Sequence, residues 1–214
     1  MALMESLDDL LQQAEIAHGH LCAGQVLGVR MAMLGCRRLG ITEPRGTDRK
    51  RLVTYVEIDR CATDAIGVVT GCRLGKRALK FRDWGKMAAT FVDLATGRAV
   101  RIVALESSKG RARELYPEIA DKNQQQMKAY REMDDAELFG EQWVEVELGQ
   151  KEMPGYKSAR IACAECGEGI NYDRFVEREG ETLCFACAYP EQRYYKPANP
   201  QTAEEPATSG SRHE

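Results

Sequence analysis

Four cysteines near the C-terminal end constrain this chain more than any other feature. Cys163-Ala-Glu-Cys166 and Cys184-Phe-Ala-Cys187 form the pattern C-x2-C-x17-C-x2-C. Each C-x2-C knuckle supplies two sulfurs to one tetrahedral ion, the template of a four-thiolate zinc site. Gly167 and Gly169 follow the first pair and allow the tight turn that brings its sulfurs together. With Cys163, Cys166, Cys184 and Cys187 filling all four positions, no place is left for water, so the zinc is structural. A stretch of about 35 residues cannot bury a sufficient core, and metal ligation supplies the missing folding free energy. A redox or disulfide tetrad is the weaker alternative. The opening residues, Met1 to Asp9, carry neither a basic run nor a long apolar one. No secretory signal is visible there, and cysteines without one are more often thiols or ligands than disulfides. The expectation is a cytoplasmic protein with no membrane span, since no stretch reaches roughly 18 apolar residues.

The 214 residues suit one or two domains. Leu3, Leu7, Leu10, Ala14 and Ala17 recur at helical spacing and predict an amphipathic first helix. Residues 22–39 are apolar nearly all round, with Gln25 and Arg30 the polar residues before Arg37. That predicts a buried helix, stopped at Gly40. A polar surface loop over 42–51 is followed by a strand over Leu52 to Ile58 and a short helix over 62–71. Further strands are expected at Ala78 to Phe81, Ala88 to Leu94 and Ala99 to Leu105, the last two flanking an Ala-Thr-Gly turn. Residues 110–132 predict a surface helix interrupted near Pro117, and Trp143 to Leu148 would close the sheet. Hairpins and helices are segregated rather than alternating, so the fold class is α+β. The expected organisation is an α+β domain over 1–152, a zinc ribbon over 156–190 and a disordered tail over 197–214. The tail is rich in Pro, Ala, Ser, Thr and Glu and has no large apolar residue.

The detail Cys163-x-x-Cys166-Gly-x-x-Ile170-x-x-x-Arg174 resembles the four-cysteine finger of the DksA/TraR group. That resemblance implies an association with RNA polymerase and hence a transcription-linked regulator as one reading. Charge argues against nucleic acid as the partner. Between Tyr156 and Tyr195 lie five basic and seven acidic side chains, and the whole chain has a formal charge of −3. Neither is an electrostatic footprint for phosphates. A protein-contact or dimer-stabilising ribbon is the better expectation.

A second concentration of chemistry lies at His18-Gly-His20-Leu-Cys22, where the first helix ends and the buried helix begins. Cys22 falls in the first turn of that helix, and Cys61 holds a similar position between a strand and a helix. Unpaired N–H groups and the dipole favour a thiolate at such positions. Imidazole and thiolate form a set suited to zinc, iron or nickel. With two or three side chains in place, an open coordination position remains, as a catalytic metal needs. A capped or core-packed role is the bland alternative. Cys36 and Cys72 read as packing. Lys76, in Gly71-Cys-Arg-Leu-Gly75-Lys76, and Lys86, in Arg82-Asp83-Trp84-Gly85-Lys86, suit an anionic substrate group, with Asp83 orienting a base; solvated surface loops are the alternative.

Four blocks taken together resemble the FmdE family, which takes its name from formylmethanofuran dehydrogenase. They are His18-Gly-His20-Leu-Cys22-x-Gly24-x-x-Leu27-Gly28, Glu57-x-Asp59-x-Cys61-Ala-x-Asp64-Ala65-Ile66, Thr70-Gly71-Cys72-x-x-Gly75-Lys76, and Asp83-x-Gly85-Lys86-Met-Ala-x-Thr90-Phe91. Ala23 stands where the family usually has proline, and Arg77 where it usually has glycine. The resemblance implies an α+β core of mixed sheet and packed helices, a homodimer, and a cleft lined by the histidine–cysteine motif and Cys61. It also implies association with the subunits of a molybdopterin oxidoreductase. On this reading His18, His20, Cys22 and Cys61 form a second metal or reactive cluster beside the structural zinc. Glu57, Asp64, Lys76 and Asp83 surround it as acid/base or anchoring groups for a small-molecule ligand. A non-catalytic accessory or metal-delivery subunit is the runner-up, and no reaction class follows.

Overall fold

Ser6 starts the first helix. Its side chain accepts the Asp9 N–H, and α1 runs Leu7–His18 until Gly19 ends it at a φ of 93°. A computed structural model describes residues 5–197 of the chain, so all of the expected tail but Pro197 lies outside the described residues. The chain divides into two compact units, Met1–Tyr156 and Lys157–Glu214.

In the first unit the apolar helix α2, Ala23–Leu39, is buried along most of its length. It packs on α3, Cys61–Thr70, and on α5, Lys122–Glu132. It also packs on β3, Ala88–Asp93, and β4, Ala99–Ala104. Gly35 is a contact point: a β-carbon there would run into the Phe91 ring of β3. Arg30, one of the polar residues on this helix, donates to the Tyr130 and Met133 carbonyls at 2.9 and 2.5 Å and pairs with Asp135 at 2.7 Å. It thereby satisfies the C-terminal carbonyls of α5 and anchors the short helix α6, Asp135–Leu138. A further helix, α4, spans Ser107–Leu115, and the break at Pro117 separates it from α5 as expected.

The sheet has the order β2-β1-β3-β4-β5, with β1 at Leu52–Val56, β2 at Leu79–Phe81 and β5 at Phe139–Val144. β1 and β2 are parallel, joined by the crossover through α3, and the remaining pairs are antiparallel. One face carries Leu52, Val56, Phe91, Val100 and Ile102 into the helical core. Val53, Val92 and Ala99 occupy the other face, where Tyr55, Val144, Val146 and Leu148 cover them. The closing strand thus begins at Phe139, earlier than the Trp143–Leu148 pattern suggests. The capping box of Asp134 and Glu137 holds α6 closed just before it. Val146 and Leu148 lie beyond the strand's end and cover the second face. Cys36 and Cys72 are buried, and burial pushes the Cys36 thiol up to about 12, consistent with packing roles. Among the described residues no helix is long and apolar enough to cross a membrane.

The second unit is built of two short hairpins and a turn of helix. β6 (Ile161–Ala162) pairs with β7 (Gly169–Ile170), and β8 (Phe175–Arg178) with β9 (Glu181–Cys184). The helix α7, Phe185–Ala188, follows. Its core is small: Cys163, Ile170, Leu183, Cys187 and Ala188 are its buried members.

Candidate metal centres

Cys163, Cys166, Cys184 and Cys187 present their sulfurs within 4.8 Å of one another. Tetrahedral zinc with bonds of about 2.3 Å would set its sulfurs about 3.8 Å apart. The Cys166 and Cys184 sulfurs stand at 4.0 Å. The all-thiolate donor set and this spacing fit zinc. The first knuckle turns on Gly167, at a φ of 74°. The Cys184 N–H donates to the Cys163 sulfur at 3.3 Å. The backbone N–H groups of Cys166 and Cys184 favour the thiolate and bring the Cys163 thiol down to about 6. Among the described residues this is the one group of three or more such donors gathered so closely.

The N-terminal cluster is looser. Cys22 is the residue before α2, with extended backbone, and its carbonyl accepts the Gln25 and Val26 N–H groups. Cys61 opens α3. The two cysteines flank Gly24: a β-carbon there would sit 3.4 Å from the Cys61 Cβ and 3.7 Å from the Cys22 sulfur. Burial, followed by the hydrogen bond with Cys22, raises the pKa of the Cys61 thiol. The helices approach this closely because Gly28 has no side chain; a β-carbon would lie 2.5 Å from the Ala62 carbonyl oxygen. Gly28→Ala is therefore expected to push α2 off α3 and cost about 1–3 kcal/mol in urea unfolding. A variant as stable as the wild type would show that α3 yields freely.

His18 and Asp64 join from α1 and α3. His18 Nδ1 lies 2.8 Å from an Asp64 carboxylate oxygen, and the His18 and His20 rings have centroids 4.8 Å apart. Two further residues hold the junction, and spacing alone does not single them out as part of it. Gln25 is fully buried and donates to the Cys61 carbonyl at 3.2 Å, while its Oε1 accepts nothing among the described groups. Asn123, from α5, accepts the Ala23 N–H at 2.9 Å. Gln25 has one signal, a polar residue in an otherwise apolar helix; Asn123 has none.

Of the other residues expected around the cluster, Glu57 has a partner of its own. Glu57 is buried, and both carboxylate oxygens accept from the Arg101 guanidinium at 2.6 Å. Arg101 sits in register with Thr90, itself opposite Tyr55, so this pair occupies the sheet face that carries Tyr55. Lys76 is exposed in a short turn after α3, and Asp83 is exposed in the loop whose Trp84 and Lys86 N–H groups donate to the Glu57 carbonyl. No hydrogen bond or ion pair described for Glu57, Lys76 or Asp83 reaches Cys22 or Cys61.

A family model described as "FmdE, Molybdenum formylmethanofuran dehydrogenase operon" matches residues 17–142, more than half of the chain. The chain belongs to the FmdE family. A second model, "Prokaryotic dksA/traR C4-type zinc finger", matches residues 155–193 of this FmdE protein. A solved FmdE-like protein from Syntrophus aciditrophicus, described as of the tungsten formylmethanofuran dehydrogenase type, shares the fold. Its TM-score is 0.61 at 20% identity, over 90% of this chain and 97% of that one. A "Probable S-adenosyl-L-methionine-binding protein" from Archaeoglobus fulgidus is 37% identical over 97 residues, 45% of this chain. The matched stretch covers 26% of that relative, so the chain spans about a quarter of its length.

Proposed function

We propose that this FmdE-family chain is a cytoplasmic, homodimeric metal-handling protein whose first unit binds a metal ion of its own, in addition to the structural zinc of the ribbon. The observation that carries this reading is the convergence of Cys22 and Cys61 at the starts of α2 and α3, with Asp64, three residues after Cys61, bound to His18. A ligating imidazole almost always hands its other nitrogen to a carboxylate, carbonyl or water, which fixes its tautomer and aims the free nitrogen. Asp64 does this for His18. Cys22 and Cys61 supply soft donors, and His18 or His20 a nitrogen, a set suited to zinc, iron or nickel. With fewer than four protein ligands, a bound ion would keep an open position and would supply Lewis acidity to a small-molecule ligand there. The name of the Archaeoglobus relative makes S-adenosyl-L-methionine the first small molecule to try.

Elemental analysis of protein purified without added metal tests this reading. Wild type is expected to carry two metals per chain and Cys22→Ser one, with the ribbon zinc retained. One zinc per chain, the same in both, would remove the second site.

The family description, which refers to a molybdenum formylmethanofuran dehydrogenase operon, supports a second reading. In it the chain serves a molybdopterin oxidoreductase as a non-catalytic accessory or metal-delivery component. It predicts a stable complex on pull-down and no turnover by the isolated chain.

A further inference from the structure

The ribbon has a fifth polar side chain at its metal site. After α7 the chain makes a short turn over Pro190–Gln192 and delivers Arg193 back over the cysteines. The Arg193 Nη2 donates to the Cys187 sulfur at 3.6 Å. Its Nε donates to the Ala186 carbonyl at 2.6 Å, and Nη2 also lies 3.7 Å from a Glu165 carboxylate oxygen. The guanidinium is thus pinned at three points with its cation against the buried Cys187.

A zinc ion held by four thiolates carries a net charge of −2. That charge makes the sulfurs nucleophilic and their release on attack by acids, oxidants or chelators easier. Backbone donors serve Cys163, where the Cys184 N–H arrives at 3.3 Å. Cys187 receives a charged donor instead, and such bonds are about twice as strong as neutral ones. Arg193 also lines the surface recess that contains Cys166, Cys184 and Cys187. Arginine suits the role because its planar fork serves the sulfur and the carbonyl together; lysine has a single charged head.

We propose that Arg193 is a positioning residue of the zinc centre, whose guanidinium donates to the Cys187 thiolate and sets how inertly the ribbon retains its ion. This rests on the ribbon zinc and not on the second metal proposed for the first unit. The test uses the full chain, as wild type, Arg193→Ala and Arg193→Lys, each loaded with one zinc in the ribbon. Partners of this kind typically change metal affinity or activity about 10–100-fold, and zinc transfer to excess 4-(2-pyridylazo)resorcinol is expected to be faster by that factor in Arg193→Ala. Arg193→Lys, which keeps the charge but not the fork, is expected to recover only part of the difference, with release and band position between those of wild type and Arg193→Ala.

Cobalt substitution separates a bond to sulfur from a packing role. Loss of the N–H donor raises the energy of the sulfur lone pairs, so the thiolate-to-cobalt charge-transfer band of Arg193→Ala is expected at longer wavelength. Equal release rates for wild type and Arg193→Ala would overturn the proposal. So would faster release in both variants with the band unmoved, which would assign Arg193 to holding the turn through Ala186. Should Arg193→Ala not retain zinc through purification, the lysine variant carries both measurements against wild type.

Discussion

Removing zinc, or replacing Cys163 by serine, is expected to unfold residues 157–193 while the first unit stays folded. The ribbon buries few apolar side chains: Ile170, Leu183 and Ala188, with Phe175, Val176 and Tyr189 partly covered around them. Its strands are two to four residues long. A core of that size cannot offset the entropy of ordering the segment. Zinc contributes about 10–16 kcal/mol in comparable fingers near neutral pH, so binding free energy is folding free energy here. The first unit has its own core around α2, from Leu10 to Phe139, which includes none of the ribbon cysteines. Hydrogen exchange read by mass spectrometry checks both halves of this expectation. Ribbon peptides should exchange fully after chelation, while peptides of α2 and β3 keep their protection. Persisting ribbon protection without metal would contradict it.

Arg101→Met is the second change with a large expected effect. It leaves the Glu57 carboxylate buried with its guanidinium partner gone; the side chain is only 3% exposed in the wild type. Breaking a buried pair from one side costs about 3–5 kcal/mol, because the remaining charge is uncompensated. The double variant Glu57→Gln/Arg101→Met should recover part of that loss, and urea unfolding of the four proteins measures the coupling. A cost below about 1 kcal/mol for Arg101→Met would place the pair in the class of solvent-screened surface bridges. The metal content should not change in any of these variants, since the pair sits on the sheet face away from the helical core.

The α+β character is legible because its signals are local. The apolar run of 22–39 has one reading at helical period, and the Ala-Thr-Gly turn between Val-rich stretches has one reading as a hairpin. Helix α3 over Cys61–Thr70 and the break at Pro117 are legible for the same reason. The pattern places the closing strand four residues too late because Val144, Val146 and Leu148 alternate as a strand does. That alternation reflects packing over the second face of the sheet, beyond the paired segment.

Cysteine spacing by itself determined the ribbon quartet, since two C-x2-C knuckles hold their sulfurs in pairs whatever surrounds them. The histidine–cysteine block and the position of Cys61 were equally present in the sequence as residues. Only the tertiary structure decided that Cys22 meets Cys61. That meeting depends on Gly28 letting α2 lie against Ala62, a contact between helices whose separation no one-dimensional pattern encodes. It also sent Asp64 to His18 and gave Glu57 to Arg101, which lies 44 residues further along the chain. A carboxylate's role is set by the side chain that folding brings to it, and neither partner lies near its carboxylate in the sequence.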